Sequence, residues 1–384
     1  MKIGIWFKIM SSQFYLFIVL IFSALSVRAQ NAPTWTSVQH STETITTFNP
    51  RKIAVAPDGS RYVTSMFSGT LVMGAFTLTG NGNFYLAKYL PNGTVAWVKK
   101  YNSSSSQVAV DATGNVYLAG YFNSSLTLET TTLIARNGGR DGYLVKYDDQ
   151  GVQQWVKQGE ASGGFVYVES IATDTSGNAI IVGNFGNSVD FGGSLVTGGG
   201  IFMYKFSPVG TVVLAQQVSS NGHVQDMALD QSSNSYLVGS FIGSAKFGNT
   251  NLSGIGAQDI FLCKLDASGS CTWAARAGGS YGGSGSSVDV DAGGNPMIVG
   301  YCYIIPGNNF NSQAYVARYS SQGIQLWDRQ IQSGATTTAS AVTYDGRGGY
   351  YVTGNFIGAI VFGGITLSSQ WESIFMGKHI YCAI

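Results

Sequence analysis

The sequence predicts an all-β fold: a six-bladed β-propeller of four-stranded antiparallel blades, closed by an N-terminal strand that completes the last blade. Three observations carry this expectation. First, one hairpin pattern returns about every 58 residues, clearest as VAVDATGNVYLAGYF at 108–122, and such a period is the mark of a repeat architecture. Second, another pattern, a strand bearing Lys or Arg followed by Gly and Trp, comes after each copy in fixed order. Third, the strand count is one out of step, with a spare strand at the start and a missing one in the last unit.

The 384 residues carry 11% charged, 45% apolar and 13% aromatic residues, with 51 Gly and 7 Pro. Charge at about half the usual share with ample apolar content excludes disorder and suits many short, tightly turned strands. Residues 1–29 read as a signal peptide: Lys2 and Lys8, the apolar run 14–26, then Val27-Arg28-Ala29 before Gln30. Residues 30–384 are expected to form a single β-propeller domain. Removal of 1–29 leaves 18 basic against 20 acidic residues, so nothing draws the chain to nucleic acid or anionic lipid. The mature protein is expected to be exported, not integral to a membrane, and monomeric.

The first element is residues 33–39, a strand with Trp35. Each unit then supplies strands a, b, c and d. Strands a and b form hairpins at 53–67, 108–122, 171–185, 227–241, 288–302 and about 341–356. Asp111, Asp174, Asp230 and Asp291 close strand a, and Asn115, Asn178, Asn234 and Asn295 follow. Their side chains bond turn backbone and tolerate left-handed geometry. One carboxylate per loop is poor for calcium, which wants six to eight oxygens. Gly120, Gly183, Gly239, Gly300 and Gly354 each precede an aromatic or Cys by two.

Strand c carries Lys88, Lys146, Lys205, Lys264, Arg318 or Lys378, whose stem is expected to lie over apolar surface. Gly93, Gly151, Gly210, Gly269 and Gly323 follow at turn positions wanting positive φ. Trp97, Trp155, Leu214, Trp273 and Trp327 come next on strand d, placed to pack between neighbouring sheets. The b–c connections vary most, and three share a Phe-Gly echo at 191–195, 247–252 and 362–367, read as a bend with an edge segment. The last c strand, 373–379, lacks a d strand, which residues 33–39 would supply and so remove exposed edges. Cys263 and Cys271 flank a turn and could pair, though buried free thiols are the simpler reading.

These residues resemble the Bacteroidetes-type β-propeller repeat (SBBP repeat) family. The resemblance rests on VAVDATGNVYLAGYF (108–122), DGYLVKYDDQGVQQW (141–155) and DIFLCKLDASGSCTW (259–273), and spans about 50–384. Leu214 for Trp, Cys302 for Phe and the shortened end after Lys378 depart from the pattern and put the third and last blades' regularity in question. The resemblance implies an exported bacterial repeat protein of the cell envelope or surroundings and no established reaction.

Chemistry-bearing motifs are scarce. His40, His223 and His379 are scattered, without a partner by spacing. There is no phosphate-binding loop, dinucleotide fingerprint or HExxH. No catalytic, cofactor-binding or metal-binding residue is assigned, and no cofactor is expected. Carboxylates outside the repeat consensus are Glu160, Glu169, Asp190, Asp328 and Glu372. Aromatics outside it are Tyr281, Tyr303 and Trp371, which could stack on a sugar or pack the rim. The favoured expectation is a non-catalytic scaffold binding a protein or glycan through loops on one ring face. The alternative is a polysaccharide-acting enzyme with convergent carboxylates at the ring mouth.

Overall fold

Each repeat folds as an antiparallel sheet whose strands follow one another in sequence order. The computed structural model describes residues 44–136, 139–304, 312–331, 336–362 and 365–380. Sheet one holds β1 (Thr44–Val55), β2 (Arg61–Met73), β3 (Phe76–Tyr89) and β4 (Val95–Tyr101). Sheet two holds β5 (Gln107–Val110) and β6 (Val116–Asn123), then, past a small hairpin β7 (Ser125–Leu128) and β8 (Thr131–Ile134), β9 (Arg140–Tyr147) and β10 (Gln153–Ala161). Sheet three holds β11 (Val166–Thr173) and β12 (Ala179–Phe185), the hairpin β13 (Ser188–Phe191) and β14 (Leu195–Thr197), and β15 (Gly200–Phe206) and β16 (Val212–Ser219). Sheet four repeats this with β17 (His223–Leu229), β18 (Ser235–Phe241), β19 (Ser244–Phe247), β20 (Thr250–Ser253), β21 (Asp259–Leu265) and β22 (Cys271–Ala277). Sheet five is β23 (Gly283–Val290), β24 (Pro296–Tyr303), β25 (Ser312–Tyr319) and β26 (Gln325–Ile331). Sheet six is β27 (Thr337–Tyr344), β28 (Gly349–Phe362) and β29 (Ile365–Ile380). The chain is thus an all-β six-bladed propeller, with three strands in its last sheet among the described residues. The signal peptide over 1–29 and the closing strand at 33–39 lie outside the described residues.

The inner strands β5, β11, β17, β23 and β27 pack successively against one another, and β1 against β5. Apolar clusters fill the spaces between sheets. Tyr62, Leu86, Val108 and Leu118 join sheets one and two, and Leu144, Ile171, Ile181 and Phe202 join two and three. Three further clusters continue the series to sheet six. Third strands are therefore covered on both faces, as in β9, where seven of the eight residues are buried. Each such buried aliphatic or aromatic side chain contributes about 1.5–3 kcal/mol.

Two glycine classes explain the repeat spacing. In the Gly-x-Phe element, strand a bulges and its carbonyl presses on strand b. A Cβ on Gly183 would sit 1.9 Å from the Tyr167 carbonyl oxygen, beside the register shift between Val168 and Ser170. In the c–d turn, Gly323 has a positive φ of 82°, close to the 88° of Gly269, and a Cβ there would meet Trp273 at 2.6 Å. The Trp and Gly of the repeat are therefore partners across sheets: the Trp of one sheet abuts the turn of the next.

Hydrogen bonds follow the same hand-off. Trp97 Nε1 donates to the Asp149 carbonyl (3.2 Å), Trp155 to Pro208 (3.0 Å) and Trp273 to Ser321 (3.0 Å). Sheet three, with Leu214 in the Trp position, keeps its regularity because Gln216 Nε2 donates to the Gly269 carbonyl instead (2.7 Å).

The Phe-Gly echoes at 191–195 and 247–252 belong to true hairpins rather than to a bend with an edge segment, because a second strand returns through β14 and β20. Phe191 and Phe247 are buried. β13 pairs with β10 of the preceding sheet, and β19 packs against β16, so these hairpins bridge neighbouring outer strands. In sheets one and six, β2–β3 and β28–β29 instead run on as long continuous hairpins. Cys263, Cys271 and Cys302 are free thiols, and burial raises Cys271 above the ordinary thiol range.

Candidate functional site

The two ends of the ring axis are lined differently. At one end lie the a–b turns. The Asp111 carboxylate accepts the Thr113 and Asn115 amides (2.9 Å each) and Asn115 Nδ2 (2.8 Å). Asp174, Asp230 and Asp291 repeat this arrangement. Basic residues of strand c then close on the same carboxylates: Lys205 on Asp174 (2.7 Å), Arg318 on Asp291 (2.6 Å) and Lys378 on Asp345 (3.0 Å). Burial acts to raise the Asp174 carboxyl, but Lys205 and Asn178 outweigh it and leave it lowered. Lys88 and Lys146 instead donate to the Asp149 and Pro208 carbonyls of the next sheet (2.8 and 2.9 Å), each ammonium near a Tyr ring. This end is occupied by its own repeat chemistry.

Midway along the axis Asp226 ties four sheets together. Its carboxylate accepts Ser170 Oγ of sheet three (3.0 Å) and Ser287 Oγ of sheet five (2.7 Å), and Lys52 of sheet one reaches it at 3.5 Å. One step toward the turns, Asp289 accepts the Val290 and Tyr344 amides (2.8 and 2.7 Å). Burial holds the Asp289 carboxyl above its usual range, with Asp226 nearby adding to the rise.

The opposite end, where the inner strands begin, gathers side chains that do not repeat. Asn184 is fixed by Val224, accepting its amide (2.9 Å) and donating to its carbonyl (3.1 Å). Beside it, Gln225 Nε2 donates to His223 Nδ1 (3.0 Å). The other ring nitrogen, Nε2, lies 3.2 Å from Asn184 Nδ2 and 4.0 Å from Glu169 Oε1. Burial lowers the His223 pKa and so favours the neutral ring. One interface away, Tyr121 meets Tyr167 edge-on with centroids 4.6 Å apart, and Phe165 stacks on Tyr167 at 4.6 Å. The exposed Arg140 lies over the Tyr167 ring at 5.4 Å and donates to its hydroxyl. Aromatic surface, a guanidinium, a carboxylate, two amides and an imidazole thus share one rim sector of sheets two to four.

Of the carboxylates singled out in the sequence, Glu169 alone lies in this cluster. Spacing assigns His223 no partner; the structure corrects this, because the inner strands β11 and β17 of neighbouring sheets pack together and bring Glu169 near His223. Glu160 and Asp190 do meet, opposite each other in the β10–β13 ladder, in an open outer cleft of about 250 Å³ with Lys157, Gln158 and Gly193. That cleft is peripheral, and its carboxylates are engaged: Glu160 by Arg136 (2.9 Å), Asp190 by the Gly193 and Ser194 amides. Asp328 sits half-buried on the outer strand β26, and exposed Glu372 accepts from Asn355 (2.9 Å). Tyr281 is exposed and Tyr303 packs on Tyr301 (5.5 Å) on another sector, while Trp371 is exposed on the long hairpin of sheet six. His40 and the side chain of His379 lie outside the described residues. Among the described residues no group of three or more His, Cys, Asp or Glu is placed to hold a metal, and no helix is long and apolar enough to cross a membrane.

The signal that could have found the cluster is departure from the repeat. The residue before the Phe or Cys that ends each b strand's repeat element reads Met66, Tyr121, Asn184, Ser240, Tyr301 and Asn355, a position the repeat does not fix, and Tyr121 and Asn184 frame the site.

No family model matches the chain. It shares 28% identity over 155 residues with an uncharacterized WD repeat-containing protein of Acanthamoeba polyphaga mimivirus, a match covering 35% of this chain and 11% of that protein. Among solved structures, it is similar to a catalytically inactive virginiamycin B lyase from Staphylococcus aureus, at 8% identity and a TM-score of 0.47, over 85% of this chain and 86% of the other. A polysaccharide lyase, an ulvan lyase, gives 9% identity and a TM-score of 0.47, with 80% and 78% covered. A protein of unknown function from Bacteroides caccae gives 10% and 0.39, with 74% and 82% covered. None of these likenesses assigns an activity to the chain.

Proposed function

We propose that this chain is an exported, non-catalytic propeller of the SBBP-repeat kind, which binds a protein or glycan through the end of the ring opposite the a–b turns. The observation that supports this is the division of labour along the axis. Repeating Asp, Asn, Lys and Trp residues are consumed by turns and sheet-to-sheet bonds, whereas Tyr121, Tyr167, Arg140, Glu169 and His223 form a non-repeating cluster at the other end. Aromatic faces with adjacent amides and charges suit sugar rings or a polar peptide surface. The test is a glycan-array and protein-capture screen with the mature protein, repeated with Tyr167→Ala and Arg140→Ala. Binding lost in both variants at unchanged melting temperature supports the reading. Binding that survives both and is lost with Glu160→Ala would move the site to the outer cleft.

The His223–Glu169 pair favours a second reading, a polysaccharide-acting enzyme, since a carboxylate beside an imidazole is equipped for proton transfer. Incubation with soluble polysaccharides, followed for new reducing or unsaturated ends, distinguishes the two. Product formation abolished by His223→Ala would establish catalysis; none is expected.

A further inference from the structure

The end of the ring opposite the a–b turns carries a second exposed feature, in the sector of sheets four and five. Ile242, Ile255 and Tyr281 are 64%, 60% and 44% exposed. Ile242 follows β18, Ile255 lies between β20 and β21, and Tyr281 lies between β22 and β23. The backbone brings them together. The Gly254 amide donates to the Gly243 carbonyl (2.6 Å), which sets Ile242 and Ile255 side by side at the open end of the β19–β20 hairpin. A Cβ on Gly256 would lie 2.4 Å from the Gly282 nitrogen, so only glycine lets this loop touch the turn that carries Tyr281. The Gly283 amide fastens that contact on the Gln258 carbonyl (2.6 Å).

Each of the three is held out by its backbone. Asp259, fully buried, accepts the Ile255 and Gly256 amides (2.9 and 3.0 Å), and its other oxygen takes Arg276 (3.0 Å). Asn221 Nδ2 donates to the Ile242 and Ser244 carbonyls (2.8 and 2.6 Å). Cys302, which stands where the repeat has Phe, accepts the Gly279 amide (3.2 Å) and so anchors the Tyr281 turn. Contiguous large apolar side chains on a fixed backbone mark a contact surface, and the fixed backbone lowers the ordering cost of docking. Sheet two shows that the repeat does not require them. Asn123 stands where sheet four has Ile242, and Arg136 supplies the amide that Asp141 accepts (3.2 Å), as Ile255 does for Asp259. Both charges of the sheet-two connection 124–139 are spent inside the molecule, Glu129 on Lys99 and Arg136 on Glu160. The connection 242–258 has one charge, Lys246, on the exposed side of β19, and among the described residues it meets no carboxylate.

We propose that Ile242, Ile255 and Tyr281 form a docking surface for an acidic, apolar peptide segment of another protein. Its large apolar side chains cover the patch, and a carboxylate beside them pairs with Lys246, which lies two residues, roughly 7 Å, along the hairpin from Ser244. The proposal rests on the reading that this end of the ring is the binding end, and names its partner as protein rather than glycan. Isoleucine offers a sugar neither a ring face nor a hydrogen-bond partner. An apolar centre with a charge at its rim is the ordinary make-up of a protein interface.

The test pans a phage-displayed library of random peptides on the protein, then titrates the enriched peptides in solution. Sequences that combine bulky apolar residues with Asp or Glu are expected. Their affinity should fall at least about tenfold in the double variant Ile242→Ser with Ile255→Ser, the scale of a lost hot spot. Lys246→Gln should weaken them by about two- to fivefold, as for an exposed ion pair, and should reduce the salt dependence of binding. Should the double variant not fold, Tyr281→Ser reads the same loss. Peptides that bind the double variant as tightly as the parent would overturn the patch; if Tyr167→Ala abolishes them, the binding end stands and only the sector is wrong. An empty selection refutes the peptide partner: glycan binding lost in Tyr167→Ala would then keep the binding end, and no glycan binding would remove both. A parent dimer that the double variant makes monomeric, read by light scattering, would give the patch to a second copy and overturn the proposal.

Discussion

The two ends of the ring axis are built from the same six repeats and differ in nearly every side chain. At the turn end, Asp174 with Asn178 and Lys205 is a close copy of Asp230 with Asn234 and Lys264. At the other end, the position of Tyr121 in one repeat is that of Asn184 in the next. The first end shows what the backbone demands each time a sheet is made. The second shows where no such demand exists, so residue choice is free to serve recognition. The difference predicts that substitutions will sort by end: stability lost at one, binding lost at the other.

The largest effect is expected for Gly323→Val, which combines a positive φ of 82° with a Cβ 2.6 Å from Trp273. A loss of about 3–5 kcal/mol follows from backbone strain plus overpacking, to be read by denaturant unfolding. Trp155→Ala should cost about 2–4 kcal/mol, since it empties an interface and leaves the Pro208 carbonyl with one side-chain donor fewer. Gln216→Leu should cost about 1 kcal/mol, the hydrogen bond that stands in for the absent Trp. If Gln216→Leu were as harmful as Trp155→Ala, sheet three would depend on that bond rather than on packing.

Acid provides a finer comparison. Asp111, Asp174 and Asp230 have lowered carboxyls, so the folded state holds fewer protons there than the unfolded one near pH 4. Their stabilisation is present above the unfolded carboxylate range and is lost as pH falls through the folded values. Asp289 is raised by burial and has the opposite sign: its charged form costs stability as pH rises from about 4 through its folded value. Asp289→Asn should therefore fare better relative to the parent at pH 7 than at pH 4, and Asp174→Asn worse. Melting curves across pH 3–8 check both, and parallel curves would remove the sign difference. Smallest of all, Arg140→Ala and His223→Ala at the free end should change stability by no more than about 0.5 kcal/mol; a loss above about 2 kcal/mol in either would make that end structural too.

Sequence periodicity made the turn end legible because each repeated residue has a repeated physical task. The Asp-to-Asn spacing follows from turn hydrogen bonds, and the positive φ at Gly210 and Gly269 was expected from the spacing alone. The glycine of Gly-x-Phe was visible, but not its cause, which is the Tyr167 carbonyl pressing from the neighbouring strand. The His223–Glu169 pair was hidden because its members are 54 positions apart in different sheets and break no rule locally. Periodicity exposes what every unit needs; a site built from exceptions leaves only the gaps in that pattern.

Lys52 has a consequence for the size of the wheel. It spans from the first sheet to Asp226 in the fourth, directly across the hub. Gene duplication could splice in another unit with a ready-made socket and tryptophan, and every new neighbour would fit. The hub would not: with a wider diameter, a side chain of fixed reach no longer arrives at its carboxylate. That spoke acts as a ruler, and lineages that gain or shed a unit should have rewritten positions 52 and 226 together.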